Sequence, residues 1–173
     1  MDKLIFISYK REERTAAIAR KLDQKIRVNL KAFGFETWFD RRSIDVGQAW
    51  SPEIDRALDA ATHFLALLSD DYWDSSQCQR ELEGAVQRFE SARERPRLLL
   101  VQTQFMDLTA LEVSRGQQSA TVNLRGGQIK TLGDVNFLGP YDQAGRLGRL
   151  AEVGSQALDD QLFTLVQGIK TVP

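Results

Sequence analysis

The chain has 173 residues, of which 42% are hydrophobic and 27% are charged, and its 23 Lys and Arg nearly balance its 24 Asp and Glu. This length and composition predict one globular domain that can bury a core without covalent or metal staples. A net charge of −1 gives no reason to expect a nucleic-acid surface. Since no apolar run approaches the ~20 residues of a membrane span, we expect a soluble, cytoplasmic domain without membrane contact.

The sequence contains one cysteine, Cys78, and one histidine, His63. A lone cysteine excludes an internal disulfide and fits a cytosolic setting. With a single histidine we expect neither a zinc site nor a Cys–His catalytic pair.

Strand and helix patterns alternate over the first hundred residues. Short apolar or alternating runs predict four strands: Leu4–Ser8, Phe35–Phe39, His63–Ser69 and Arg97–Thr103. Helical spacing and capping signals predict three helices: Arg14–Phe33 with Gly34 as C-cap, one that begins at Ser51–Pro52, and one from Ser75 or Ser76 to about Ala92. The order β-α-β-α-β-α-β predicts an open parallel sheet with helices on both faces.

The pattern weakens after Gln104. Asp107–Val113 predicts a short helix, and Ala157–Ile169 predicts an amphipathic terminal helix. Ala120–Leu132 fits either a hairpin around Gly126–Gly127 or an edge strand followed by a glycine loop. Nothing marks a second domain, so residues 104–173 are assigned by elimination to a single domain that spans residues 1–173.

In an open parallel sheet, ligands bind beyond the carboxyl ends of the strands. Aromatic and cationic side chains follow three of the predicted strands: Tyr9, Lys10, Arg11, Arg41, Arg42, Trp50, Tyr72 and Trp73. They suit ring stacking and phosphate binding, but ordinary solvated loops have the same composition. Neither a G-x-G-x-x-G motif nor a P-loop is present.

Glu81 has an unusual place on the third predicted helix. The apolar stripe of that helix consists of Cys78, Leu82, Ala85, Val86 and Phe89. Glu81 lies about 80–90° from the centre of the stripe, in the first two turns and close to the crevice. A carboxylate at such a border is partly desolvated and can be reactive. Geometry alone leaves three roles open: catalysis, solubility, or pairing with Arg80.

Three segments, in this order and spacing, resemble the conserved boxes of bacterial-type TIR (Toll/interleukin-1 receptor) domains: Phe6–Glu12, Gly34–Leu58 and Leu67–Val86. The resemblance covers about residues 4–90, and the strand pattern extends it to residue 103. It implies the flavodoxin-like TIR fold, an open α/β architecture with a mainly parallel five-stranded sheet. The family's late phenylalanine–tryptophan box has only a poor counterpart here, Phe137–Tyr141.

TIR domains include scaffolds that signal by self-association and enzymes that cleave NAD⁺. In the enzymes a third-box glutamate carries the chemistry, and the resemblance places it at Glu81, with Gln77 where tryptophan is common. The resemblance further implies these substrate-binding residues: Ser8, Tyr9, Lys10, Arg11, Asp40, Arg41, Asp45, Trp50, Tyr72, Ser75 and Cys78. Trp50 or Tyr72 would stack on a ring of the ligand, whereas Cys78 fits a small core residue better than a nucleophile.

The implied activity is that of an NAD⁺ nucleosidase that releases nicotinamide and either ADP-ribose or a cyclic isomer. NAD⁺ is then the substrate, and no cofactor or metal is implied. Because nicotinamide leaves as a neutral molecule, one carboxylate suffices, unlike the pair used in glycoside hydrolysis. The resemblance also implies activation by TIR–TIR contacts and a role as effector in anti-phage defence, with a sensor domain or subunit outside this chain.

Two other functions stay open. A non-enzymatic scaffold would recruit further TIR domains through the loop Asp40–Trp50. A nucleoside deoxyribosyltransferase shares the α/β sheet and also breaks N-glycosidic bonds with a glutamate. The spacing of the loop after the second predicted strand of this sequence fits a TIR domain better.

Overall fold

A computed structural model describes residues 2–39, 52–91, 95–104, 119–124, 127–132, 135–140 and 148–172. The strands are β1 (Lys3–Tyr9), β2 (Phe35–Trp38), β3 (His63–Leu68), β4 (Arg97–Gln102), β5 (Ser119–Leu124), β6 (Gly127–Leu132) and β7 (Val135–Gly139). The helices are α1 (Glu13–Asn29), α2 (Pro52–Ala60), α3 (Asp70–Asp74), α4 (Ser76–Ser91) and α5 (Gln156–Thr171), with a 3₁₀ turn at Lys31–Phe33. No helix in these ranges is long and apolar enough to cross a membrane. The short helix predicted at Asp107–Val113 lies outside the described residues.

The main sheet has five parallel strands in the order β2-β1-β3-β4-β7. This is the flavodoxin-like order, in which the chain moves outward from β1 to one edge and then returns to build the other. The predicted open, parallel, five-stranded α/β sheet with helices on both faces is therefore confirmed.

Two local predictions need correction. The first helix ends at Asn29 rather than Phe33, and a separate 3₁₀ turn closes at Gly34, whose φ of 79° suits a glycine. The polar segment after β3, predicted as a loop, contains α3, which is capped where the Tyr72 amide donates to Ser69 Oγ at 3.1 Å. The Ser cap and the two aspartates of its first turn favour this short helix.

The segment Ala120–Leu132 belongs to the β5–β6 hairpin, which pairs antiparallel from Ser119↔Leu132 to Leu124↔Gly127. The hairpin prediction is confirmed, and the alternative of an edge strand here is wrong. The fifth strand of the main sheet is instead β7, which contains most of the weak counterpart to the family's last box.

The two faces of the sheet are buried by different helices. Ile5 and Ile7 of β1 pack in a cluster with α1 and α5, whereas Phe6 packs in a second cluster with α2 and α4. Because side chains alternate along a strand, Ser8 lies on the same face as Phe6. The fold therefore presents the Ser8 hydroxyl to α4.

The loop after β1 is tied to the far side of the sheet by Arg14. Its guanidinium donates to the carbonyl of Thr103, after β4, at 2.9 Å and to that of Leu150 at 3.1 Å. These bonds hold the start of α1, and with it the preceding loop, at the carboxyl edge of the sheet.

His63 predicts a specific acid sensitivity of the fold. Burial, assisted by the positive charges of Lys3, Arg95 and Arg97, lowers the pKa of His63 from 6.5 to about 4. Between these pH values the unfolded chain binds the proton more readily, so stability present at pH 7 is lost as pH falls through this window. We expect the free energy of unfolding to fall by about 2 kcal/mol more from pH 7 to pH 5 in the wild type than in His63→Gln.

Urea denaturation of both proteins at the two pH values measures this difference. Since His63 is the single histidine, the comparison isolates its contribution from that of the carboxylates. Equal losses in the two proteins would show that the ring titrates normally in the folded state.

Candidate active site

The candidate site lies at the carboxyl edge of the sheet, where β1 ends between β2 and β3. This is the switch point of the doubly wound order, the usual position of a ligand crevice in such folds. Glu81, in the second turn of α4, is only 5% exposed there. The carboxylate predicted at the border of a buried stripe is thus largely removed from water, and Arg80 beside it on the helix is exposed.

Neutral donors hold both oxygens of the Glu81 carboxylate. Ser8 Oγ donates to Oε2 at 2.6 Å, and Gln77 Nε2, one helical turn earlier, donates to Oε1 at 3.0 Å. Hydrogen bonds of this kind offset the cost of burying a charge.

Tyr72 lies beneath this carboxylate rather than beside a ligand. Its side chain is 0% exposed, and its hydroxyl is 2.9 Å from Ser8 Oγ. Of the two residues predicted as alternatives for stacking on a ring of the ligand, Tyr72 is buried, because α3 directs its ring into the core between the sheet and α4, and Trp50 lies outside the described residues. Its neighbour Trp73, 5% exposed, is buried in the same cluster.

A small cleft opens in front of Glu81. Its lining consists of Ile7, Tyr9, Arg11, Trp38, Gln77 and Glu81. The free space for water-sized molecules is ≈ 10 Å³, about enough for one water. The predicted residues Tyr9, Arg11 and Glu81 therefore meet at one cleft.

Trp38 is a cleft residue that the sequence reasoning missed. It is the last residue of β2, and its ring stacks on Phe6 at a centroid distance of 4.5 Å. The signal was present in the alternating pattern of Phe35–Phe39, because β2 lies next to β1 and ends at the same edge. The same strand end brings Phe39 within 6.1 Å of the Tyr9 ring.

Lys10 and Arg11 bring positive charge to the site. Both act electrostatically on Cys78, which lies one helical turn before Leu82 on α4. Two hydrogen bonds to the Lys10 carbonyl hold the loop. The amide of Glu12 donates to this oxygen at 2.9 Å, and Thr15 Oγ1 of α1 donates to it as well.

Ser75 and Cys78 have structural roles in α4. Ser75 Oγ accepts from the Cys78 amide at 3.3 Å and so caps the helix, as one of the two predicted caps. The Cys78 side chain is 3% exposed and packs in the core, outside the cleft lining. The prediction of a ligand contact by Cys78 is therefore wrong, and the simpler interpretation, a small core residue, agrees with the structure. Asp40, Arg41, Asp45 and Trp50 lie outside the described residues.

A sequence model of the TIR domain family matches residues 5–132, nearly three quarters of the chain. The chain belongs to the TIR domain family. The match extends through the β5–β6 hairpin, beyond residue 103 where the recognisable boxes and strands end.

Among solved structures, this TIR domain is similar to the one described as "Structure of the activated Roq1 resistosome directly recognizing the pathogen effector XopQ (TIR domains)". The two are 19% identical with a TM-score of 0.44, and the alignment covers 58% of this chain and 58% of that chain. No curated protein matches the chain.

Because its thiol is buried, we expect Cys78 of this TIR domain to be chemically inert. Burial, followed by the negative charge of Glu81, raises the pKa of Cys78 to about 12. At pH 8 we expect the native protein to react with a thiol reagent about 10³-fold more slowly than a free cysteine. A disulfide-exchange assay with and without denaturant measures both rates on the same single thiol, and similar rates would contradict the burial.

Proposed function

We propose that this TIR domain is an NAD⁺ nucleosidase, which cleaves the nicotinamide–ribose bond and releases nicotinamide with ADP-ribose or a cyclic isomer. One observation carries the proposal: a buried carboxylate, Glu81, is held by Ser8 and Gln77 at the cleft of the sheet's switch point. Carboxylates that are desolvated and given fixed partners cluster at catalytic sites.

The chemistry asks little more of the protein than this carboxylate. As the bond breaks, its electron pair passes to the nicotinamide nitrogen and positive charge develops on the ribose. The leaving group becomes neutral and needs no proton, so no second carboxylic acid is required. Glu81 would stabilise the developing positive charge and accept hydrogen bonds from the ribose hydroxyls.

The two oxygens of Glu81 have different surroundings. Oε2 is bound by Ser8, which is 0% exposed, whereas Oε1 is bound by the half-buried, cleft-lining Gln77. We infer that Oε1 meets the ribose and that Oε2 anchors the group. Gln77, where related enzymes often have tryptophan, then becomes part of the polar surface that the substrate contacts.

Three further residues of the cleft, Tyr9, Arg11 and Trp38, and Lys10 next to Arg11 in the loop suit the other parts of a dinucleotide. Lys10 and Arg11 can neutralise the diphosphate, and Tyr9 and Trp38 offer faces or edges for ring contacts. The cleft has ≈ 10 Å³ of free space, far less than a nicotinamide ring occupies. We therefore propose that it widens when TIR domains self-associate, so that an isolated domain is nearly inactive.

The bacterial-type boxes support a wider proposal for the biological role. We place this domain in the cytoplasm, as the effector of an anti-phage defence system that a sensor outside this chain controls. The proposal concerns the setting and the trigger, and it does not alter the chemistry assigned to Glu81.

Replacing Glu81 with glutamine tests the central assignment. Glu81→Gln keeps the size of the side chain and removes its charge, so we expect nicotinamide release to fall by at least about 10²-fold. The assay follows nicotinamide and ADP-ribose products by chromatography with NAD⁺ and artificially clustered protein. Glu83→Gln is the matched control, because Glu83 is exposed on the same helix and should leave the rate unchanged.

Two outcomes would contradict the proposal: the first rejects the enzyme, and the second rejects the role of Glu81. Clustered wild-type protein that leaves NAD⁺ intact would favour the scaffold, whose readout is TIR–TIR binding without turnover. Full activity in Glu81→Gln would remove the carboxylate from the mechanism even if the protein cleaves NAD⁺.

Gln77→Glu tests the hydrogen bond from Gln77 to Glu81 Oε1. Two carboxylates 3.0 Å apart repel when both are ionised, so we expect activity at pH 8 to fall by about tenfold or more. The loss should shrink as pH falls, because a protonated Glu at position 77 again donates to Glu81. Rates at several pH values check this, with the exposed Gln87→Glu as control. A loss that is independent of pH would contradict the contact.

A further inference from the structure

A chain of three hydrogen-bonding groups leads from the core to the candidate carboxylate. It begins at the Tyr72 hydroxyl on α3, passes through Ser8 Oγ at the end of β1, and ends at Glu81 Oε2 on α4, with distances of 2.9 and 2.6 Å. Tyr72 and Ser8 are each 0% exposed, so the chain is closed to solvent at its inner end.

The proton count gives this chain a direction. An ionised carboxylate only accepts, so Ser8 must donate its one proton to Glu81. The remaining proton is that of Tyr72, whose hydroxyl has two acceptors within reach, Ser8 Oγ at 2.9 Å and the Cys78 carbonyl at 3.4 Å. The shorter contact is the stronger hydrogen bond, so Tyr72 donates mainly to Ser8. Burial, and then repulsion by Cys78 in its ionised form and by Glu81, raises the pKa of Tyr72 well above its ordinary value, so the hydroxyl keeps its proton.

We propose that Tyr72 is a positioning residue that acts through Ser8 to fix and strengthen the hydrogen bond to Glu81. Its catalytic consequence rests on the NAD⁺ nucleosidase activity proposed above. Hydrogen bonds in series polarise one another, so a donor two groups away still favours the ionised carboxylate. Without the tyrosine hydroxyl, the Ser8 hydroxyl loses the partner that orients it.

Packing alone does not account for the hydroxyl at position 72. The adjacent Trp73 is buried in the same cluster, and among the described residues its indole N–H has no hydrogen-bond partner. The core beside α3 thus accepts an aromatic side chain without a polar contact. The polar atom of Tyr72, in contrast, is 2.9 Å from Ser8 and 3.4 Å from the Cys78 carbonyl.

The other charged and titratable groups around Glu81 are the same in every variant of the test. Cys78 lies on the same helix as Glu81, Lys10 and Arg11 lie on the loop after β1, and Tyr9, the last residue of β1, lines the cleft. A change in the titration of Glu81 on removal of the Tyr72 hydroxyl therefore reports the loss of the hydrogen bond from Tyr72 to Ser8 and not a new charged neighbour.

The first experiment needs no turnover. The carboxyl carbon of Glu81 is followed by NMR over a pH titration of the whole chain, with its signal assigned by comparison with Glu81→Gln. In Tyr72→Phe we expect the midpoint to move to higher pH, because the ionised form has lost support. Trp73→Phe, the matched control, should leave the midpoint in place, and thermal denaturation of both variants verifies folding.

The second experiment measures kinetics of the clustered protein. Tyr72→Phe should lower kcat by about tenfold with little change in KM, and the acid limb of the kcat profile should move to higher pH. If Tyr72 acts only through Ser8, the substitution should have no further effect in a Ser8→Ala background. Independent, multiplicative losses in the double variant would contradict the relay, that is, the action of Tyr72 on Glu81 through Ser8.

The outcomes separate the two proposals. An unchanged Glu81 titration in Tyr72→Phe overturns the relay, whether or not the protein cleaves NAD⁺. A shifted titration in a protein that never releases nicotinamide supports the relay and rejects the nucleosidase. A shift of equal size in Trp73→Phe would assign the effect to core packing and overturn the role of the hydroxyl.

Discussion

The hydrogen bond from Ser8 to the buried carboxylate of Glu81 is the constraint on which this site depends. It joins the end of β1 to α4 across 73 positions of sequence. A carboxylate that is 5% exposed is strongly destabilising unless donors meet it. Two donors offset the cost of burying this charge: the Ser8 hydroxyl at the end of β1 and the Gln77 side-chain amide one helical turn before Glu81. Both depend on the position of α4 over the sheet.

The layered core supplies the precision that this bond requires. Phe6 packs in the cluster with α2 and α4, and two residues later the same strand face presents Ser8. Arg14 binds carbonyls beyond β4 and before α5, which fixes the loop that follows β1. The short helix α3 then turns Tyr72 beneath Ser8. The place of the cleft at the ends of paired strands suits the proposed reaction, in which the protein mainly orients the substrate and stabilises charge.

The two titratable side chains Cys78 and Glu81 of α4 are both buried but have different partners. Cys78 has no donor strong enough to offset desolvation, and its pKa rises to about 12, so it remains a thiol. Glu81 lies one turn away and has Ser8 and Gln77 as partners. Partners, rather than position on the helix, therefore separate an inert group from a candidate catalyst. In this TIR domain the negative charge of Glu81 also raises the pKa of Cys78 and so helps keep that thiol unreactive.

The sequence alone determined the order of the first four strands of the main sheet, their parallel pairing and the choice of Glu81 as a candidate residue, because these depend on local periodicity, caps and the spacing of three boxes. It misjudged Tyr72, since an aromatic ring within a polar segment looks exposed until the element that covers it is known. It also missed Trp38 in the cleft and Val135–Gly139 as the fifth strand. Only the tertiary structure decided these points, because pairing and burial depend on residues distant in the chain, which local periodicity does not report.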